Sequence, residues 1–273
     1  MTAELGELSS VESKRFAICP VKCPILKYKV KSLAGYFTVI SASITAKDKF
    51  WFRGHAHVKW SLTPSALRYK HQSDRERALQ LVSEFKRVAE IKLSRPPAVG
   101  EHLKWVQLAQ HYGLPTRLLD WTESATIGLY FACLNESSDG IVFMLNPVDL
   151  NKMSYPQTPR VLDAGLDAPI IEKYLKLHGR RKKRGAKTVA VNPVWNSERL
   201  ISQKGVFTLH GSRFDLDKDQ APSLVALPIM RESKAQLLME LERVGVDEMS
   251  IFPELEHSCH FLVRKEGLEP ERR

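Results

Sequence analysis

The stretch SATIGLYFACL, residues 124–134, constrains the fold most strongly. Thr122 or Ser124 can cap a helix here, and Ala125, Ile127, Leu129, Phe131 and Ala132 surround its axis with apolar side chains. A helix without a polar face is buried on most sides, so the rest of the chain has to cover it. Upstream, Leu114–Trp121 reads as a loop entering a short strand. Downstream, Asp139–Gly140 turns into a strand over Ile141–Leu145, ended by Asn146–Pro147.

Other elements follow from spacing. Phe50–Phe52 predicts a strand ending at Arg53–Gly54, and residues 32–45 are apolar enough for a buried helix or strand. Ala78, Leu81, Val82, Phe85, Val88 and Ala89 form one stripe of a helix over Ser73–Ser94. A second helix is expected over Glu101–Tyr112, with Gly113 at the position that ends it. Residues 147–187, rich in Pro, Asp and basic side chains, read as a long excursion or insertion, placed at 147–190. Beyond it come a short helix at Ser197–Ile201, strands at Gly205–Leu209 and Leu224–Met230, and helices at Lys234–Val244 and Pro253–Val263. Strands and helices alternate without a regular βαβ rhythm, which predicts an α+β fold with a mixed or antiparallel sheet. Residues 1–31 read as an N-terminal arm, 32–263 as one domain and 264–273 as a polar tail.

A chain of 273 residues can bury a sizeable core without staples. No apolar run approaches the roughly 20 residues of a membrane span, and MTAELGELSS has no apolar signal-peptide region, so no membrane partner is expected. Four scattered cysteines fit a reducing cytoplasm. Cys19 and Cys23 with His257 and His260 match no standard zinc spacing, and no metal is expected.

The net charge of +10 comes mostly from one segment, KYLKLHGRRKKRGAK, Lys173–Lys187, which holds eight Lys or Arg and no acid. Without those eight the chain is close to neutral. Such a run reads either as a mobile, solvated loop or as a phosphate- or nucleic-acid-contacting loop.

No Walker loop, H-E-x-x-H, G-x-S-x-G or G-x-G-x-x-G occurs. The polar residues Arg53, His55, His111, Tyr112, Thr116, Arg117, Asp120, Thr122 and Gln203 instead lie among apolar neighbours, where burial is costly unless each is paired or functional. Arg53 and Arg117 admit two readings. One of them pairs with Asp120, or one forks onto a pyrophosphate, which suits guanidinium geometry. His55, two residues after Arg53, is the better site candidate, whereas His111 reads as a capping residue.

Five motifs carry a resemblance. W-F-R-G and W-S-L-T-P-S-A-L-R are followed by A-Q-H-Y-G-L-P-T-R-L-L-D-W-T, L-Y-F-A and S-Q-K-G-V-F-T-L-H-G. Together they resemble the FRG domain family, named for its Phe-Arg-Gly motif, here Phe52-Arg53-Gly54. The resemblance covers residues 32–263, with residues 147–190 as its insertion.

The motif order also resembles the ADP-ribosyltransferases. Arg53–Gly54 looks like that family's first-strand arginine. Asp120-Trp121-Thr122, leading to Ala125 and Tyr130-Phe131-Ala132, looks like its strand–helix signature, and Ser202-Gln203 ahead of Gly205-Val206-Phe207 looks like its last. The resemblance implies a split β-sheet core with surrounding helices and a cleft for NAD or a related nucleotide. It implies transfer of ADP-ribose or NAD hydrolysis, in a toxin or antiviral effector. Arg53, with Gly54 and Arg117, would clamp the pyrophosphate or ribose, and Tyr112 or Tyr130 would stack on nicotinamide. Thr122, His55 and Gln203 would be the catalytic set. The sequence departs from the pattern at Gln203, which is neutral and can orient a hydroxyl but not offset developing positive charge. Glu198 is the nearest acid.

Overall fold

A computed structural model describes residues 5–7, 28–43, 49–182, 184–194, 197–213, 216 and 223–268. Its strands are β1 (Leu5–Glu7), β2 (Tyr28–Val30), β3 (Trp51–His55), β4 (Leu118–Thr122), β5 (Gly140–Leu145), β6 (Val189–Val191), β7 (Gly205–Leu209) and β8 (Leu224–Ile229). β1 and β2 pair separately, and the other six form one sheet in the order β6-β7-β4-β3-β5-β8. Every ladder in it is antiparallel, which resolves the choice between a mixed and an antiparallel sheet.

The sheet is nearly two sheets. β3 pairs with β5 along its whole length, and β4 does the same with β7. Between β3 and β4 only Phe52 and Thr122 are in register. Past that pair the two central strands part, and side chains occupy the space that a ladder would fill.

The helices are α1 (Leu33–Ser43), α2 (Gln72–Lys92), α3 (His102–His111), α4 (Ala125–Cys133), α5 (Pro147–Ser154), α6 (Ala168–Leu175), α7 (Glu198–Ser202), α8 (Arg231–Arg243), α9 (Glu248–Ile251) and α10 (Leu255–Lys265). α4 is the apolar helix expected at 124–134, and Ser124 caps it by accepting from Ile127 N at 3.4 Å. It lies across β3 in a core that includes Phe52, Leu129, Val142 and Leu237. On the opposite face of the sheet Trp51, Leu119, Trp121 and Phe143 form a second core.

Several expectations are corrected. β3 does not end at Phe52; it runs through Arg53 and Gly54 to His55, because all five residues of 51–55 pair with β5. The segment 147–187, expected to be an excursion, contributes α5, α6 and a third core with Ile171, Tyr174 and Leu162. β6 then closes one edge of the sheet. The described residues on either side of position 183 are tied down: Lys182 N donates to Ser212 O, and Gly185 N to Lys182 O. The helix expected at 253–263 is α10, which starts at Leu255, and the short α9 precedes it as an element that was not expected; Val30, at the end of the expected arm, is fully buried in the first core. No helix among the described residues is long and apolar enough to cross a membrane.

Candidate functional site

Alternation along β3 sends Trp51, Arg53 and His55 to one face, and Phe52 and Gly54 to the other. Gly54 faces α4. A Cβ there would lie 2.0 Å from Gly128 O and 2.4 Å from Ala132 N. Gly54 is therefore required by the close approach of α4, and its other side borders the cavity.

That cavity, about 1020 Å³, opens where β3 and β4 part. It is the size of a typical small-molecule site. Arg53, Lys59, Arg68 and Arg199 bring formal positive charge to its wall, and Asp120 is the only carboxylate among the described lining residues. Trp60, Trp121, Phe131 and Phe207 supply aromatic surface, and Trp60 is 56% exposed.

Arg53 spans the gap between the strands. Its Nε donates to His55 Nε2 at 2.8 Å and its Nη1 donates to Asp120 O at 2.6 Å, with Asp120 Oδ2 4.0 Å away. Nη2 has no partner among the described residues. Burial pushes the Arg53 pKa down to about 10, helped by nearby Arg68 and opposed by Asp120, so it stays charged at neutral pH. The two readings of this arginine thus hold together: it is held internally, and one nitrogen remains for a ligand.

Asp120 is fixed from its other side. Gln110 Nε2 donates to Asp120 Oδ1 at 2.6 Å, and Gln110 Oε1 accepts from Thr116 Oγ1. Arg68 reaches the same mouth of the cavity, steadied by Nε donating to Thr63 O at 2.8 Å.

His55 is 2% exposed, and both ring nitrogens are engaged: Nε2 by Arg53, and Nδ1, which donates to Trp60 O at 3.1 Å in the tautomer this pattern requires. Burial, then the Arg53 charge, holds its pKa well below the ordinary histidine value, so it is neutral. His55 acts as a positioning residue for Arg53, with no lone pair left for a reacting proton. His111 is the imidazole that faces the cavity without a hydrogen-bond partner among the described residues, so the capping role expected for it is not the one it has. Burial and Arg199 lower its pKa, against Glu254.

Thr122 and Gln203 line the cavity with Arg53, as expected. Thr122 Oγ1 accepts from Ser124 N at 3.0 Å, and Gln203 Nε2 donates to Ile251 O at 3.4 Å. Three expected cofactor residues lie elsewhere. Arg117 is 1% exposed and spans two loops: Nη1 donates to His210 O and Gly211 O, Nη2 to Leu177 O and His178 O. It is a structural clamp with both terminal nitrogens committed. Tyr112 is not among the residues lining the cavity, and its ring lies 5.9 Å from that of Phe85. Tyr130 is buried, its hydroxyl pushed up to about 12 by that burial, and the adjacent Phe131 takes the place at the wall. Glu198, on the exposed side of α7, does not reach the cavity either.

The sequence reading missed Lys59, Trp60, Arg68, Gln110 and Arg199. Trp60 and Arg68 flank the S-L-T-P-S-A-L motif, and that flanking was the available signal. Of the residues weighed as zinc ligands, Cys19 and Cys23 lie outside the described residues. His257 bonds Glu248 Oε1 at 3.0 Å, and His260 lies close by. Arg264 Nη2 donates to Glu248 Oε2 at 2.6 Å and offsets that carboxylate.

Residues 48–140 match the FRG domain family. The chain carries an FRG domain. No curated protein and no solved structure matches it. The matched span contains the cavity-lining residues Arg53, His55, Trp60, Arg68, Gln110, Asp120 and Thr122. Arg199 and Gln203, from α7 and the turn after it, lie beyond the matched span.

Proposed function

We propose that the cleft of this FRG domain binds a nucleotide through its phosphates, with NAD or a related dinucleotide as the ligand. The observation that carries this is the pairing, at one cavity mouth, of the uncommitted Nη2 of Arg53 and the guanidinium of Arg68 with the exposed ring of Trp60. Guanidinium groups suit phosphate oxygens, and a half-exposed indole offers a face to a base or nicotinamide ring. The split between β3 and β4 and the place of Thr122 and Gln203 along one cavity support NAD in particular, through the motif order that resembles the ADP-ribosyltransferases.

The reaction proposed for bound NAD breaks the bond between ribose C1′ and the nicotinamide nitrogen. The electron pair leaves with nicotinamide, and ADP-ribose passes to a macromolecule or to water. The positive charge that develops on the ribose is best offset by a carboxylate. Asp120 is the candidate, with Gln203 orienting a ribose hydroxyl.

Calorimetric titration of NAD into wild type, Arg53→Ala and Gln203→Ala tests the binding. Heat with wild type and at least a tenfold weaker association with Arg53→Ala is expected. No heat at millimolar NAD overturns the NAD assignment, and no heat with ADP or pyrophosphate either overturns nucleotide binding altogether. A nicotinamide-release assay then tests the reaction separately.

A further inference from the structure

A band of cations leaves the mouth of the cleft, and Arg75 joins its two segments. Arg75, near the start of α2, donates through Nη1 to Tyr69 O at 2.7 Å and Lys70 O at 2.9 Å, and through Nε to Gly179 O at 2.7 Å. It thus joins the segment 68–70, whose Arg68 lines the cavity, to the basic turn expected from sequence at Lys173–Lys187. The join is tight: a Cβ on Gly179 would lie 2.5 Å from Arg75 Cβ. Arg180 adds a longer contact, Nε to Gln72 Oε1 at 3.4 Å, and Arg117 grips Leu177 O and His178 O from beneath.

The side chains of Arg68, Lys70, Arg180, Arg181, Lys182 and Arg184 are exposed along this band, with Tyr69 45% exposed among them. Two acids, Asp74 and Glu76, stand in the adjoining start of α2, and Glu76 accepts from Gln72 Nε2 at 2.6 Å. A row of exposed cations held close together matches a ligand whose anionic charge repeats.

We infer that this band binds single-stranded nucleic acid and leads it to the mouth of the cleft. Phosphates along a strand meet successive cations, and Tyr69 and Trp60 offer stacking faces that only unpaired bases can use. Guanidinium groups, four of the six exposed cations, fork onto phosphate oxygens. The inference rests on the proposed reading of the cleft only for where the strand ends. A strand bound there would supply the macromolecular acceptor that the transfer reaction needs.

The test is fluorescence anisotropy with labelled single-stranded RNA and DNA of about twenty nucleotides, enough to pass several sites of the usual size. A duplex of the same length and phosphatidylserine vesicles are the comparison ligands. Wild type is expected to bind the single strands with affinity that falls as salt rises. The variant Lys70→Ala/Arg180→Ala/Lys182→Ala/Arg184→Ala changes only exposed side chains. It is expected to bind about tenfold or more weakly, with the slope of log K against log salt reduced by about 3, near 0.7 for each lost contact. Gly179→Ala keeps every charge but forces the turn off Arg75, and is expected to weaken binding as well. Ultraviolet cross-links are expected at Tyr69 or Trp60.

No binding by wild type, or a quadruple variant that binds like wild type, overturns the inference. Tighter binding to the duplex or to vesicles overturns its single-strand form. Cross-links confined to other surfaces overturn the path to the cleft. None of these measurements requires NAD, so a failure of the NAD reading remains distinguishable from a failure of this one.

Discussion

Arg53 Nε donates to His55 Nε2 at 2.8 Å, a bond between two residues on the same face of one strand. The bond takes the imidazole out of acid–base chemistry and fixes the guanidinium in the gap between the central strands. Arg53→Ala leaves His55 Nε2 and Asp120 O without their donor. Because His55 is 2% exposed, a destabilisation of about 1–3 kcal/mol is expected on urea unfolding. Arg53→Lys keeps a charge but cannot fork, and is expected to lose nucleotide binding nearly as fully as Arg53→Ala. A lysine variant that binds as wild type does would show that charge alone is read.

The same pair predicts a pH dependence. His55 is neutral in the folded protein because burial and then Arg53 hold its pKa well below the ordinary value near 6.5. The unfolded chain takes up a proton there first, so the stability from a neutral His55 is present above about pH 6.5 and is lost as pH falls below it. The loss runs at up to about 1.4 kcal/mol per pH unit until the folded-state pKa is reached. Unfolding at pH 6.5 and 5.5 for wild type and His55→Gln isolates this contribution, and the variant is expected to show the shallower slope.

Gly54→Ala separates the packing role of the FRG glycine from any role toward a ligand. The added methyl would meet Gly128 O and backbone atoms of Phe131 and Ala132, none of which is a flexible side-chain end. Forcing α4 away from β3 is expected to cost at least about 3 kcal/mol, the upper part of the range for overpacked cores. A soluble Gly54→Ala variant with wild-type stability would contradict the crossing geometry.

Much of this architecture was legible because its signals are local. The apolar circumference of α4, the stripe of α2 and the glycine after α3 each reflect burial or capping within a few residues. Arg117 shows where such reading fails. Beside apolar residues in T-R-L-L-D-W it looks like Arg53 beside W-F, yet its partners are carbonyls at Leu177, His178, His210 and Gly211. Those contacts span 60 to 94 positions, and nothing near Arg117 announces them. Tyr112 and Tyr130 failed for a related reason, since which side of a helix meets a cavity depends on how far two strands splay. The splay itself, a single register pair between β3 and β4, has no local signature.

Arg117→Met tests that structural assignment. Removing the guanidinium strips buried carbonyl oxygens of their donor, each worth about 1–3 kcal/mol when left unsatisfied, and loosens the basic turn from β4. A fall of about 3–5 kcal/mol in unfolding free energy is expected. The folded fraction is expected to bind NAD as wild type does. Lost NAD binding at wild-type stability would return Arg117 to the cleft.

Asp120→Asn distinguishes binding from chemistry at one position. The carboxylate lies 4.0 Å from Arg53 Nη1 and shares the cavity mouth with Arg68, so it repels any phosphate those two groups attract. Asparagine has nearly the same shape, and its side-chain oxygen can still accept from Gln110 Nε2 as Asp120 Oδ1 does at 2.6 Å. The geometry around Arg53 is therefore retained while the negative charge is removed. Affinity for pyrophosphate or ADP is expected to rise by a few fold, the scale of an exposed ion pair of about 0.2–1 kcal/mol. Nicotinamide release, if Asp120 offsets the charge that develops on ribose, is expected to fall by at least about a hundredfold, the usual consequence of removing one preorganised electrostatic partner. Weaker anion binding with release unchanged would assign the carboxylate a purely structural part in holding Arg53 across the strands.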